Sequence, residues 1–274
     1  KGPGKAGKSL KINLVMIVKN EERSLTRCLL AARPFVDEMI VVDTGSTDRT
    51  KELAREAGAR VFDFVWVRDF AAARNYALEQ SDADWNLVLD ADEYLRPGSR
   101  GRLEAELRRG DKRYGAGRWM GAVLQFDAYW EVADQAMGGE KSVSIHSSVM
   151  PRLLPRGVRY EGRIHEQPGG KLPYARVSLE TDHDGYLQEG KNERNLGYLK
   201  EAVEQEPENT YYWYQMAITL RGKEQLEESL EWFRRLAAYE IHSVGYWVDG
   251  VLRYLYTLMD LGTEALLLEA KAVI

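Results

Sequence analysis

The sequence predicts an α/β fold with a mostly parallel sheet, followed by an all-α region of helical repeats. Three observations predict it. Up to Leu89, short apolar runs alternate with stretches whose apolar residues recur at helical spacing. The connections are short, and strand–helix–strand units of this kind close by right-handed crossovers into a parallel sheet. From Lys191 onward, only helical spacing remains.

Lys11 to Val18 (KINLVMIV) reads as the first strand, and Lys19-Asn20-Glu21-Glu22 as the turn after it. A helix follows from Glu22 to Phe35, with Leu25, Cys28, Leu29 and Ala32 on one face and Pro34 marking its end. Glu38 to Val42 is the second strand. It stops at Asp43-Thr44-Gly45-Ser46-Thr47-Asp48, where Gly45 permits a tight turn and Ser46 or Thr47 can cap the next helix. That helix ends near Ala57, and Gly58 closes it. Ala59 to Trp66 reads as the third strand and Phe70 to Gln80 as the third helix.

Trp85 to Leu89 is the strand that organises the chain, because it ends in Asp90-Ala91-Asp92. Ligands of open α/β sheets sit outside the carboxyl ends of the strands. Two carboxylates at a spacing of two residues can hold a divalent cation and the diphosphate it neutralises. Spacing alone does not select this pair, since Asp82/Asp84 and Asp182/Asp184 repeat it; Asp82 and Asp84 read as a polar turn. The carboxyl edge is lined by Lys19-Asn20-Glu21, Asp43, Arg74 and Asp90-Ala91-Asp92. No G-x-G-x-x-G follows the first strand, which counts against a dinucleotide enzyme.

A net charge of −5 argues against a nucleic-acid footprint. The single cysteine, Cys28, excludes an intrachain disulfide framework and reads as a small core residue. No secretory signal and no apolar run long enough to span a bilayer are evident, so the expected location is the cytoplasm. Gly2 to Ser9 matches the phosphate-loop letters G-x-x-x-x-G-K-S, but a strand follows it where that loop needs a helix. Residues 1–9 therefore read as a flexible arm.

The motifs MIVKNEE, VVDTGSTDRT, FAAARNYAL and WNLVLDADEYL, in that order, resemble the nucleotide-sugar half of the family 2 glycosyltransferases of the GT-A (Rossmann-like) fold. The resemblance covers Leu10 to Pro97. It implies a UDP-sugar donor seated on Val18, Asn20, Glu21, Asp43, Arg74, Asp90, Ala91 and Asp92, with Mn²⁺ or Mg²⁺ on Asp92.

Farther on, Arg102 to Arg109 reads as a solvated helix and Ala122 to Val132 as an aromatic strand. Asp134 to Ser148 reads as a mobile loop able to close on substrate. Ser148 to Leu154 and Val177 to Glu180 also read as strands. The run RLLPRGVRYEGRIHE…HDGY resembles the acceptor half of bacterial members of the same family that carry helical repeats. By order, the resemblance makes Glu166 the catalytic base and His183 a metal ligand. The usual base motif ends in Glu-Asp where this chain has His165-Glu166-Gln167, which leaves His165 as the alternative. Asp182 and Asp184 are expected as ligands of the metal or partners of His183.

A register of roughly 34 residues counted from Thr210 puts Trp213, Met216, Ala217, Leu220, Ser229, Phe233 and Leu236 on tetratricopeptide key positions. A second unit starts near Val244. Stacked repeats need neighbours or caps, so this end is expected to continue beyond the given chain or to bury itself in a partner. The expected domains are 10–190, catalytic, and 191–274, helical.

The reading is an inverting, metal-assisted glycosyltransferase. The acceptor is a hydroxyl or thiol; similar family members include peptide S- and O-glycosyltransferases as well as enzymes of surface polysaccharide or lipopolysaccharide core, and a peptide is favoured because a tetratricopeptide end suits holding one in its groove. The repeats either bind the peptide or pair two copies of the chain. A sugar-nucleotide nucleotidyltransferase would want a glycine-rich basic loop after the first strand, and a non-catalytic peptide scaffold would have no use for Asp90 and Asp92.

Overall fold

The computed structural model describes residues 9–132, 141–185, 191–239 and 245–273. The chain divides into two compact units, Lys1–Gln188 and Glu189–Ile274.

In the first unit, β1 (Ile12–Val18), β2 (Glu38–Asp43), β3 (Arg60–Asp63) and β4 (Trp85–Val88) are parallel, in the order β3-β2-β1-β4. Between them run α1 (Leu25–Ala32), α2 (Thr50–Glu56) and α3 (Phe70–Glu79). β1 is apolar on both faces because both are covered. Ile12, Leu14, Met16 and Val18 pack with the Leu25, Cys28 and Leu29 stripe of α1, while Val15 packs with Ala77 and Leu78 of α3.

The sheet then continues past β4. After β5 (Glu93–Leu95) and α4 (Arg100–Tyr114) come two long strands, β6 (Met120–Val132) and β7 (Lys141–Pro155). A short pair, β8 (Tyr160–Glu161) and β9 (Gln167–Pro168), precedes β10 (Tyr174–His183). The eight-stranded order is β3-β2-β1-β4-β7-β6-β10-β5, with β7 antiparallel to both β4 and β6, and β10 parallel to β6. β5 comes directly after β4 in the chain but pairs with β10 at the far edge. The sheet curls to bring His183 opposite Glu93.

Several boundaries differ from the sequence reading. The first helix ends at Ala32 and tightens into a 3-10 turn, Arg33–Phe35, at Pro34. The third strand stops at Asp63, and Val65 beyond it is 87% exposed. The capping expected from Ser46 or Thr47 is absent: α2 starts after Arg49, and Ser46 Oγ instead accepts from Asn20 N at 2.8 Å. Residues 141–148, expected in a mobile loop, are strand β7, paired residue by residue with β6. The rest of that expected loop, with Gly138 and Gly139, and the terminal arm through residue 8 lie outside the described residues.

The second unit contains α5 (Lys191–Gln205), α6 (Thr210–Gly222), α7 (Leu226–Ala237), α8 (Gly245–Leu261) and α9 (Glu264–Val273). Trp213, Met216, Ala217, Leu220, Ser229, Phe233 and Leu236 are all buried. Arg234 of α7 and Tyr254 of α8 both hold Glu269 of α9. No helix among the described residues is long and apolar enough to cross a membrane.

Candidate active site

The carboxyl ends of β1, β2 and β4 form one edge, and the loops there bind one another. Asn20 sits at φ 55, and its Oδ1 accepts from Thr47 N at 2.8 Å. Glu21 N donates to Thr50 Oγ1, and Glu21 Oε2 accepts from Ser24 Oγ. Val18 ends β1 buried, its carbonyl accepting from both Thr44 N and Thr44 Oγ1. Asp43 is 1% exposed. Its Oδ1 closes a turn by accepting from Gly45 N at 3.0 Å and Ser46 N at 2.9 Å. That turn runs through Gly45 at φ 109, which a side chain would strain. Asp43 Oδ2 is buried without a hydrogen-bond partner. A buried acceptor left this way has lost its water for nothing, unless a ligand donates to it.

Asp90 lies two strands along the edge from Asp43, about 10 Å at ordinary inter-strand spacing. The turn from Asp90 to Glu93 closes on itself. Glu93 N donates to Asp90 O at 3.1 Å, and Asp90 N donates to Glu93 Oε2 at 3.0 Å. Ala91 and Asp92 are buried within it.

Arg74 Nη2 donates to Asp90 Oδ1 at 2.7 Å, and Arg74 Nε binds Glu166. The local sequence explains why they meet. Asp69 caps α3 by accepting from Ala72 N at 2.8 Å, which sets Arg74 in the next turn. Asn75 then clamps Tyr160, donating to its carbonyl at 2.9 Å and accepting from its N–H at 2.8 Å. Phe70 N donates to Arg163 O, so the segment that carries Glu166 is laid along α3. Burial opposes the charge on Arg74, but Asp90 and Glu166 outweigh it and raise its pKa well above the usual value. Burial also opposes ionisation of Asp90; Arg74 and Arg152 more than offset it and hold the carboxyl below its ordinary range.

His165, the alternative to Glu166, has φ 52 and a buried Nε2 without a partner. Burial lowers its pKa to about 4. Glu166 thus joins the Arg74–Asp90 cluster directly, while the His165 ring nitrogen is closed off from solvent.

β10 delivers His183 to the back of the Asp-x-Asp turn. His183 Nε2 lies 3.7 Å from Asp92 Oδ1, and Nδ1 lies 2.7 Å from Asp127 Oδ1. Gly185 adjoins both: a Cβ there would fall 2.3 Å from Asp92 Oδ2 and 2.4 Å from His183 Nε2. The Gly185 backbone packs so closely on the pair that no side chain fits there, and the carboxylate oxygen and imidazole nitrogen, 3.7 Å apart, could each reach one divalent cation. The donor set therefore fits a cation held partly by protein and partly by a ligand. Among the described residues, no three His, Cys, Asp or Glu side chains converge on a single ion.

Asp182 and Asp184 do not turn toward this pair. Asp182 Oδ1 accepts from Arg96 Nη2 at 2.7 Å, and Asp184 accepts from Arg23 at 3.1 Å and from Tyr94 Oη at 3.3 Å. Four residues here went unselected in the sequence. Arg152 binds Glu93 and lies 3.6 Å from Asp90. Glu93 itself is 1% exposed. Asp127 and Gln125 stand side by side on β6, with Gln125 Nε2 donating to Asp127 Oδ1 at 2.7 Å. The one available signal was the pair of polar residues two apart in an aromatic strand, which must share a face.

The glycosyl transferase family 2 profile matches residues 13–149, half of the chain. The chain belongs to that family. A TPR repeat-containing protein of Synechococcus elongatus is 32% identical over 89% of this family 2 chain and 70% of its own length. The SPbeta prophage-derived glycosyltransferase SunS of Bacillus subtilis is 25% identical over 80% of the chain, and the match spans 51% of SunS. The chain thus accounts for about half the length of SunS. Among solved structures, glucosyl-3-phosphoglycerate synthase from Mycobacterium tuberculosis, in complex with Mn²⁺, UDP and glucosyl-3-phosphoglycerate, is 29% identical over 43% of the chain and 44% of its own, with a TM-score of 0.32.

Proposed function

We propose that this family 2 chain transfers a sugar from UDP to a hydroxyl or thiol on a peptide or protein, with inversion at the anomeric carbon. The observation that carries the reading is the Asp92–His183 pair, 3.7 Å apart with the Gly185 backbone packed against it, next to an Asp90 held in place by Arg74.

The donor lies along the edge. Asp43 Oδ2 accepts from an imide N–H such as that of uracil, which supplies the donor this buried oxygen lacks. Val18, Asn20 and Glu21 shape the base pocket through the loops they hold together. Asp90 and the Ala91 backbone face the ribose and diphosphate. When bound by Asp92 and His183, Mn²⁺ or Mg²⁺ neutralises charge on the departing diphosphate.

Glu166 is the base. The acceptor oxygen or sulfur attacks the anomeric carbon as Glu166 takes its proton, the bond to the diphosphate oxygen breaks, and UDP leaves. One displacement inverts the centre. Arg74 keeps Glu166 positioned against the donor edge. In the helical unit, Tyr211, Tyr214 and Tyr246 gather on α6 and α8 with centroids 5.2 to 6.3 Å apart, an aromatic surface suited to a peptide.

A panel of UDP-sugars with peptide acceptors tests the reading through UDP release and product mass. Glu166→Gln should lower kcat by roughly 10²–10⁴-fold while leaving UDP affinity unchanged. An equal loss of UDP affinity would make Glu166 a donor-site scaffold instead.

A further inference from the structure

The geometry points to Asp127 as a positioning residue that fixes the tautomer and direction of His183, so that Nε2 faces the Asp92 carboxylate. This rests on the donor-site reading above. Asp127 is 6% exposed, in the middle of the sheet, where an apolar residue would be cheaper to bury. Three donors justify it. His183 Nδ1 lies 2.7 Å from Oδ1, Gln125 Nε2 also donates to Oδ1 at 2.7 Å, and Ser148 Oγ donates to Oδ2 at 3.2 Å.

A carboxylate only accepts, so Nδ1 carries a hydrogen toward Asp127, and Nε2 is the nitrogen that faces Asp92 and is left to bind a cation. Asp127 and His183 are opposed residues of β6 and β10, and Ser148 is on β7, so three paired strands fix the arrangement rather than a loop. Gln125 extends it. Its Oε1 is 3.5 Å from Arg152 Nη2, and Arg152 binds Glu93. The brace therefore runs from His183 round to the Asp90–Glu93 turn that carries Asp92.

The test is Mn²⁺ affinity in the presence of saturating UDP, read from the paramagnetic resonance of free Mn²⁺, together with the ¹⁵N tautomer pattern of His183. Asp127→Ala should weaken Mn²⁺ binding by about 10–100-fold and abolish the Nδ1–H pattern. In a His183→Ala background, the same substitution should add less than about twofold, since its effect passes through the imidazole. Asp127→Leu, close in volume but with no acceptor for Nδ1, carries the same test where the alanine variant does not fold. Wild-type binding of Mn²⁺ with Asp127→Ala unaffected, or losses that multiply in the double variant, would overturn the positioning role alone. A wild type that binds no Mn²⁺ beside UDP would overturn both this role and the donor-site reading.

Discussion

Arg74 on α3 and Asp90 beyond β4 meet at 2.7 Å, and the same guanidinium binds Glu166 through Nε. One buried cation thereby joins the donor edge to the proposed base.

Arg74→Ala should destabilise the chain by about 3 kcal/mol, the lower end for breaking a buried pair, because Asp90 is 38% exposed and partly solvated. A urea midpoint measured for both proteins checks this. A change below about 0.5 kcal/mol would mean that neither carboxylate depends on the arginine.

Asp43→Asn keeps an oxygen for Gly45 N and Ser46 N but puts an amide N–H₂ where Oδ2 awaits a donor. UDP affinity should fall by about 10–100-fold, the cost of one buried unmatched polar contact, with the urea midpoint near that of wild type. Unchanged affinity would place the base elsewhere.

How much was legible follows from where the residues sit. Asn20, Asp43, Arg74 and Asp90–Asp92 stand at the ends of strands or in the first turns of helices whose periodicity is plain, so one pass along the chain put them on one edge. Asp127, Gln125 and Arg152 lie inside long strands, and only the register β7-β6-β10, set by pairing across distant segments, brings Asp127 and Gln125 to His183 and Arg152 to Gln125. Residues 141–148 belong to a polar stretch that follows Gly138-Gly139 and so reads as a loop, although Ser142, Val143, Ser144, Ile145 and His146 alternate with strand period. Asp182 and Asp184 flank His183 in sequence, yet strand alternation and nearby arginines draw them away from it.

Gly185→Ala should place a methyl within 2.4 Å of both Asp92 Oδ2 and His183 Nε2. Mn²⁺-dependent UDP binding should drop at least about tenfold, while metal-free binding of UDP stays as in wild type. Equal metal enhancement in both proteins would show that the cation site lies away from Gly185.

Glu269 gives a pH dependence in the helical unit. Hydrogen bonding from Arg234, acting against burial and aided by Tyr254, lowers its pKa from 4.5 to about 2. The folded pKa is depressed, so this stabilisation is present above about 4.5 and is lost as pH falls toward 2. Glu269→Gln should therefore melt below wild type at pH 7, with the gap closing toward pH 2, by far-UV circular dichroism. A gap independent of pH would rule the ion pair out as its source.

Calorimetric binding of UDP to the wild type and to Asp92→Ala, with and without Mn²⁺, tests the central claim most directly. The account predicts that Mn²⁺ strengthens UDP binding to the wild type and that Asp92→Ala abolishes this strengthening. UDP binding that ignores both the metal and the substitution, or no UDP binding under any condition, would contradict it.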